Sequence, residues 1–171
     1  MEQNNPFLPP KANLEEGGQD SVELASRGQR LLAAIVDAII GMAFGIPLMF
    51  LMGTWSSVKT GVQPPWPLLL GTSAIAFCVF MLVHGYFLKT AGQTVGKKLV
   101  GIRIVDLSNE LPAFGKLLGA RYLPISLVSL VPVVGNILPM IDVLFILGSE
   151  RRCVHDRIAG TRVVRVRAAN A

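Results

Sequence analysis

Residues 31–53 read LLAAIVDAIIGMAFGIPLMFLMG, an apolar run whose one charged side chain is Asp37. A helix of about 20 apolar residues crosses the roughly 30 Å hydrocarbon core of a bilayer, so this run is long enough to span a membrane. A carboxylate inside such a span costs free energy unless it is paired or faces water. The stretch therefore predicts a membrane helix and makes Asp37 a candidate functional residue.

Two further segments extend this pattern. Residues 67–88 are equally apolar, and residues 117–148 are apolar but broken by prolines and a glycine. The chain is 51% hydrophobic and 16% charged over 171 residues, whereas soluble domains carry about 25% charged residues. We therefore expect an all-α integral membrane protein with two full transmembrane helices and a third, broken region.

The two ends of the chain are predicted to lie outside the membrane domain. Residues 1–26 are polar, contain three prolines and lack the apolar stretch of a signal peptide, which favours a disordered tail. Residues 27–167 form the expected membrane domain, and residues 168–171 a short C-terminal tail. The net charge of +5 is attributed to topology and anionic lipid headgroups rather than to nucleic acid.

Basic residues mark the cytoplasmic side of a membrane protein. Residues 54–66 carry one lysine, residues 89–116 carry five basic residues, and the segment after residue 148 carries six arginines. The predicted location is the cell (inner) membrane, with multiple passes, both termini cytoplasmic and residues 54–66 outside. Anionic lipids on the cytoplasmic face are the expected contact for the basic segments.

This orientation constrains the broken region. If both of its ends are cytoplasmic, residues 117–148 cross an even number of times, yet 32 residues cannot form two full spans. They can form two short helices or a re-entrant hairpin, with a turn at residues 131–136. One long kinked span is the alternative. Residues 101–106 and 161–166 are β-branched and partly alternating, which predicts a small cytoplasmic two-stranded β element.

Polar residues on separate segments fall at similar predicted depths. Taking 1.5 Å per helical residue, Asp37, His84 and Asp142 lie within about 10 Å of the cytoplasmic ends of their segments. Arg121 lies just inside the third region, and Arg30 lies two helical turns before Asp37. We expect these five residues to form a proton, ion or structural polar cluster, in which Arg121 neutralises Asp37 or Asp142 and His84 shares a proton with a carboxylate.

Other patterns predict no chemistry. Residues 92–98 resemble a phosphate-binding loop but are one residue short and follow no strand. Cys153, His155 and Asp156 have metal-ligating side chains, but three ligands within four residues make a poor tetrahedral site without a further partner, so no metal site is expected. No other cofactor is predicted, Cys78 and Cys153 are expected to stay unpaired, and no nucleophile–base arrangement indicates an enzyme.

Three blocks of sequence resemble the RDD family of membrane proteins. They are RxxAxxxD at 30–37, GQTxGKxxxGIRIV at 92–105 and HDxxAGTxVV at 155–164. The family is named for one arginine and two aspartates. Arg30 matches the arginine and Asp37 matches the first aspartate, while Asp142 and Asp156 both fit the second aspartate. The latter two blocks are expected to form a cytoplasmic cap, with Arg103 or Arg157 meeting Asp156. The cap residues singled out are Gly92, Gln93, Gly96, Lys97, Gly101, Arg103, His155, Asp156, Gly160 and Thr161.

The resemblance implies a transport role, with cation/proton antiport as one form. The residues themselves leave two hypotheses. In the first, the chain is a homo-oligomer that moves a cation or small solute coupled to protons through Asp37. In the second, it is a membrane scaffold or assembly factor whose cap binds a partner or anionic lipid. The sparse polar residues on the outer half favour the second hypothesis.

Overall fold

The first helix begins at a capping box, in which two side chains bond backbone N–H groups that have no partner within the helix. The computed structural model describes residues 22–131, 134–145, 148 and 152–166. Ser26 Oγ accepts a hydrogen bond from the backbone N–H of Gln29, whose side chain accepts one from the N–H of Ser26. This capping box starts helix α1, Arg27–Leu51, four residues before the predicted span.

The second long helix, α3, follows a short helix, α2, that the sequence analysis did not predict. Helix α2 is Trp55–Thr60, and α3 is Trp66–Ala91. With 25 and 26 residues, α1 and α3 are each about 38 Å long, enough to cross a bilayer core of about 30 Å. Few residues in the most apolar window of each helix are buried within the chain, 6% in α1 and 0% in α3, unlike the core helix of a soluble domain. Apolar surface that is left exposed on this scale is typical of contact with a membrane or with another protein.

A small cap forms where the cytoplasm-facing ends were predicted. Gly92, with φ of +65°, ends α3 and lets the chain turn into α4, Val95–Val100. Strand β1, Ile102–Asp106, then pairs antiparallel with β2, Thr161–Arg165, in a register that joins Ile104 to Val163. The predicted two-stranded element is therefore confirmed.

The segment before α1 also joins this sheet. Leu24 forms a bridge with Val164, and the N–H of Ala25 donates to Val163 O at 3.0 Å. Contacts with the sheet thus begin before residue 27, where the predicted membrane domain starts. Residues 1–21 and 167–171, which include most of both predicted tails, lie outside the described residues.

The broken region consists of two helical arms. Helix α5, Phe114–Lys116, continues through a π-helical segment, Leu117–Tyr122, into α6, Leu123–Val128. The second arm is α7, Val134–Leu144. At 1.5 Å per residue the arms are about 22 and 16 Å long, both short of a bilayer core of about 30 Å. Residues 132 and 133 of the predicted turn lie outside the described residues.

Both ends of this region meet one short helix, α8, Val154–Ile158. Arg121, near the start of the region, pairs with Asp156, and Asp142, near its end, pairs with His155. Because His155 and Asp156 are neighbours in α8, the chain must double back between Arg121 and Asp142. A single kinked span, the alternative, is inconsistent with these contacts.

The buried core lies in and around the cap rather than between the long helices. It joins the start of α1, the end of α3, both strands and the first turn of the broken region. Its members are Ala25, Ala33, Leu88, Ile102, Ile104, Leu117 and Val163. Packing therefore fixes the cap against one end of the two long helices, and the candidate functional residues lie around this junction.

Candidate functional site: two carboxylate centres

Asp156 is the most enclosed carboxylate of the described residues. Its side chain has no exposed surface and forms ion pairs with Arg30 of α1 and Arg121 of the π-helical segment. The backbone N–H of Cys153 donates to Asp156 Oδ2 at 3.1 Å. Burial opposes ionisation of Asp156, but Arg121, and after it His155 and Arg30, hold its pKa well below the usual range. The side chain is therefore a fixed negative charge.

This centre joins four segments of the chain. Arg121 Nη1 also donates to Thr161 Oγ1 at 2.8 Å, which ties the broken region to the first residue of β2. Both arginine side chains are nearly as buried as Asp156. Buried ions of opposite sign stabilise a fold only when each is paired and hydrogen-bonded, and removal of one partner leaves the others uncompensated.

Asp37 forms a second centre with helix α4. Thr94 Oγ1 donates to Asp37 Oδ2 at 2.5 Å, and the backbone N–H of Gly96 donates to Oδ1 at 2.8 Å. Lys97 Nζ lies 3.9 Å from Oδ2, and the Asp37 side chain keeps 19% of its surface exposed. Its close hydrogen bonds thus come from neutral donors, and its nearest cation is at the outer limit of an ion pair.

The sequence of α4 explains why Asp37 docks there. Thr94 caps α4 by accepting from the N–H of Lys97, so its hydroxyl faces the first turn of that helix. Gly96 lacks a side chain, and a Cβ at that position would lie 2.3 Å from Ala33 O and 2.8 Å from Asp37 Oδ1. Glycine is therefore required for α4 to approach α1 closely enough to bond the carboxylate.

Lys97 is the titratable group of this centre that lies outside the long helices. Its ammonium group is largely enclosed, at 16% side-chain exposure. Burial, and after it the positive charge of Arg121, lower the pKa of Lys97 to about 8, although Asp37 acts in the opposite direction. Lys97 therefore changes charge near neutral pH, next to a carboxylate.

His84 of α3 lies beside Asp37 but does not bond it directly. Its Nδ1 is 4.0 Å from Asp37 Oδ1 and accepts a hydrogen bond from the N–H of Val95 at 3.2 Å. An accepting Nδ1 carries no proton, so in this arrangement His84 has no Nδ1 proton to share with Asp37. His84 Nδ1 thus holds the start of α4, and proton sharing between His84 and Asp37 stays a prediction.

Asp142 belongs to the Asp156 side of the site. The backbone N–H of His155 donates to Asp142 Oδ1 at 3.1 Å, and His155 Nδ1 bonds Oδ2. His155 Nε2 lies 3.6 Å from Asp156 Oδ1, so the imidazole stands between two carboxylates. Burial lowers the pKa of His155, although its hydrogen bond to the Asp142 carboxylate acts in the opposite direction.

The structure divides the predicted cluster into these two centres. Arg121 pairs with Asp156, and the expectation that it neutralises Asp37 or Asp142 is wrong. Asp156 meets Arg30 and Arg121, whereas Arg103, one of two arginines expected there, lies exposed on β1.

Several cap residues determine the path of the backbone rather than bind a ligand. Gly92, Gly101 and Gly160 adopt positive φ at turns, and a Cβ on Gly92 would lie 2.6 Å from Ile104 O. The buried side-chain amide of Gln93 donates to Ile102 O at 2.9 Å and so joins the end of α3 to β1. These four residues shape the cap that presents Thr94, Gly96 and Lys97 to Asp37.

Thr94 is a partner of Asp37 that was not predicted from the sequence. Threonine followed by a short helix-forming run is a typical N-cap signal. That signal locates the start of a helix, but the partner of the hydroxyl, 57 residues away, depends on tertiary packing. Cys153 was considered only with its immediate neighbours, so its proximity to Asp142 was also missed.

A cavity of about 110 Å³ extends from Asp37 between the two long helices. His84 lies at the same end, and the walls are apolar side chains together with Gly41 and Gly45 of α1. Gly41 and Gly45, spaced as in a GxxxG pattern, thus face the space between α1 and α3 and let the α1 backbone border the cavity. Of its lining residues, Asp37 and His84 are the ones with ionisable side chains.

Two apolar helices of membrane-spanning length, a small strand-paired cap and two carboxylate centres, one buried and one partly exposed, define the class of protein. The family model described as "RDD family" matches residues 24–160. The chain belongs to the RDD family. Family membership and the two apolar helices together support a membrane protein.

A relative from Haemophilus influenzae, described as an uncharacterized protein, is 27% identical over 144 residues. The match covers 82% of this chain and 78% of that protein. No solved structure matches the chain.

Proposed function

We propose that the chain is a multi-pass protein of the inner or plasma membrane, with the cap and both termini in the cytoplasm. The exposed apolar surfaces of α1 and α3 support insertion, and the arginine-rich segment after residue 148 supports the orientation. The doubled-back region agrees with an even number of crossings between the strands. Anionic lipids are the expected partners of the basic surface.

Within that setting, we propose transport of a cation or small solute coupled to protons through Asp37. The observation that carries this proposal is the position of Asp37, a partly exposed carboxylate at the end of a cavity between the two long helices. Ionisable groups inside a membrane domain commonly mark ion pathways and proton relays. Asp156, fully buried between two arginines, is unsuited to that task because its charge is fixed.

The contacts of Asp37 suggest how binding is coupled to movement. In the observed arrangement, Thr94, Gly96 and the ammonium group of Lys97 satisfy the carboxylate. A proton or a small cation on Asp37 weakens its attraction to Lys97 and competes for the same oxygens. Helix α4 is then free to move from α1, which exposes the carboxylate on the cap side.

A homo-oligomer is part of the proposal. The cavity of about 110 Å³ reaches Asp37 through apolar walls, which offer no ligands to replace the hydration shell of an ion. We propose that a second copy packs against the exposed faces of α1 or α3 and supplies the rest of the path for the ion.

The test is proton flux driven by a cation gradient in liposomes that contain the purified full chain. We expect flux in the wild type and loss of flux in Asp37→Asn, with Glu23→Gln as the matched acidic control. Glu23 pairs with Arg165 at the surface and does not line the α1–α3 cavity. Equal flux in wild type and Asp37→Asn contradicts the proposal.

A non-transporting scaffold is the second candidate. It is favoured by the fact that both oxygens of Asp37 already hold α4, while Arg30, Asp156 and Arg121 hold the rest of the cap. In this case, Asp37→Asn lowers folded yield without changing any flux, and a specific partner co-purifies through the cap in mild detergent. We propose no enzymatic activity in either case.

A further inference from the structure

Three side chains with different donor atoms meet at the junction of α7 and α8. Asp142 comes from α7, Cys153 caps α8, and His155 is the second residue of that helix. One carboxylate oxygen, the thiol sulfur and one imidazole nitrogen all lie within 4.8 Å of one another. Residues 153–156 alone lack the further ligand that a metal site needs, and the fold supplies one in Asp142.

We propose that Asp142, Cys153 and His155 bind a divalent metal ion of the zinc class. A thiolate, an imidazole and a carboxylate are the ligand set of zinc sites, with bonds of about 2.0–2.3 Å. A tetrahedral ion with such bonds separates its ligand atoms by roughly 3.3–3.8 Å. Shifts of about 1 Å therefore bring the three atoms to that geometry, within the reach of side-chain rotation. Magnesium and calcium prefer oxygen ligands, so the thiol excludes them.

The surroundings hold these ligands in place without a metal. The backbone N–H of His155 donates to Asp142 Oδ1, and the backbone N–H of Cys153 donates to Asp156 Oδ2. His155 Nε2 lies 3.6 Å from Asp156 Oδ1, which leaves Nδ1 on the side of Asp142. Metal-binding histidines commonly direct their second nitrogen to a carboxylate, which orients the ring.

The site has both shelter and an open side. Cys153 is 3% exposed, and the side chains of His155 and Asp142 keep 18% and 14% of their surface exposed. A mostly apolar cavity of about 230 Å³ between α6, α7 and α8 has Asp142 and His155 in its wall. Three protein ligands leave a fourth tetrahedral position for water or a small ligand, and this cavity provides room for it.

Metal binding here is independent of transport through Asp37. The ion joins the end of the doubled-back region to the cap, whereas Asp37 contacts α4. Asp37→Asn therefore leaves metal binding unchanged, and failure of either proposal does not carry over to the other.

The test uses Co²⁺ as a spectroscopic probe on the purified full chain in detergent after treatment with a chelator. We expect one Co²⁺ per chain, with a sulfur-to-cobalt charge-transfer band and tetrahedral ligand-field bands, all displaced by Zn²⁺. Cys78→Ser is the matched control because Cys78 is exposed on α3 and distant from α8 in the chain; it should retain the full spectrum. Cys153→Ser should lose the charge-transfer band, and His155→Gln should bind Co²⁺ at least about tenfold more weakly.

The wild-type spectrum alone keeps the proposal falsifiable if a variant fails to fold. No Co²⁺ binding by the wild type, or binding without a sulfur-to-cobalt band, overturns the proposed site. A charge-transfer band that disappears in Cys78→Ser also overturns it, because the sulfur ligand is then the other cysteine.

Discussion

Asp156 and Asp37 lie in opposite electrostatic settings. Asp156 has no exposed surface and two guanidinium partners, whereas Asp37 keeps 19% of its side-chain surface exposed and bonds two neutral donors. A carboxylate between two fixed cations stays ionised and holds segments together. One that faces neutral donors and a titratable lysine can change its charge or partner. The comparison assigns stability to Asp156 and the proposed transport chemistry to Asp37.

The largest expected effect is on the Asp156 centre. Asp156→Asn leaves Arg30 and Arg121 buried without their counter-charge, which we expect to cost about 3–5 kcal/mol of folding free energy. The measurement is monodisperse yield and thermal midpoint in detergent. Glu23→Gln, at an exposed ion pair with Arg165, should cost less than about 1 kcal/mol. If Asp156→Asn is as stable as this control, Asp156 does not hold the cap.

Next in size is Gly96→Ala, which attacks the Asp37 centre through its backbone. The new Cβ would meet Ala33 O at 2.3 Å, so α4 must move away from α1 and lose the bond from the Gly96 N–H to Asp37. We expect a cost of about 1–3 kcal/mol, as for other overpacked contacts, together with loss of flux. Gly28→Ala on α1, where a Cβ has open space, is the control and should preserve both stability and flux.

A smaller effect is expected from Thr94→Val, which keeps the side-chain shape but removes the hydroxyl that donates to Asp37. Loss of one hydrogen bond and of the α4 cap should cost about 1–2 kcal/mol. In an Asp37→Ala background the part of this cost that comes from the hydrogen bond to Asp37 should vanish, whereas the part that comes from the α4 cap should remain. A double-mutant cycle on thermal stability measures this coupling, and a coupling of zero contradicts the pairing.

The last prediction is a pH dependence from Lys97, which is confined to alkaline pH. Its pKa of about 8 in the folded chain is below the ordinary lysine value of 10.5. Between these two values the unfolded chain binds more protons than the folded chain, so the contribution of Lys97 to stability rises with pH across that window. Below pH 8 the contribution is constant. Thermal midpoints of wild type and Lys97→Met against pH should diverge above pH 8 and run parallel below it.

The long helices and the two strands were readable from local sequence patterns, but the short helices and the side-chain pairings were not. Apolar run length predicted α1 and α3, and β-branched alternation predicted both strands. Arg121, in contrast, was expected near Asp37 or Asp142 on the basis of similar depth. That prediction failed because the depth of residues on separate helices does not determine how the helices are rotated or which helices are neighbours. Its true partner, Asp156, lies in a five-residue helix after the broken region. Only the doubling back of that region brings them together.

The most direct test of the division between the two aspartates is infrared difference spectroscopy on the full chain in lipid, as Na⁺ or K⁺ replaces a large organic cation. We predict a carboxylate band change in the wild type that is absent in Asp37→Asn and retained in Asp142→Asn. Such a result identifies Asp37 as the carboxylate that binds or exchanges the ion. A wild-type spectrum without change for either cation, or the same change in Asp37→Asn, contradicts the role proposed for Asp37.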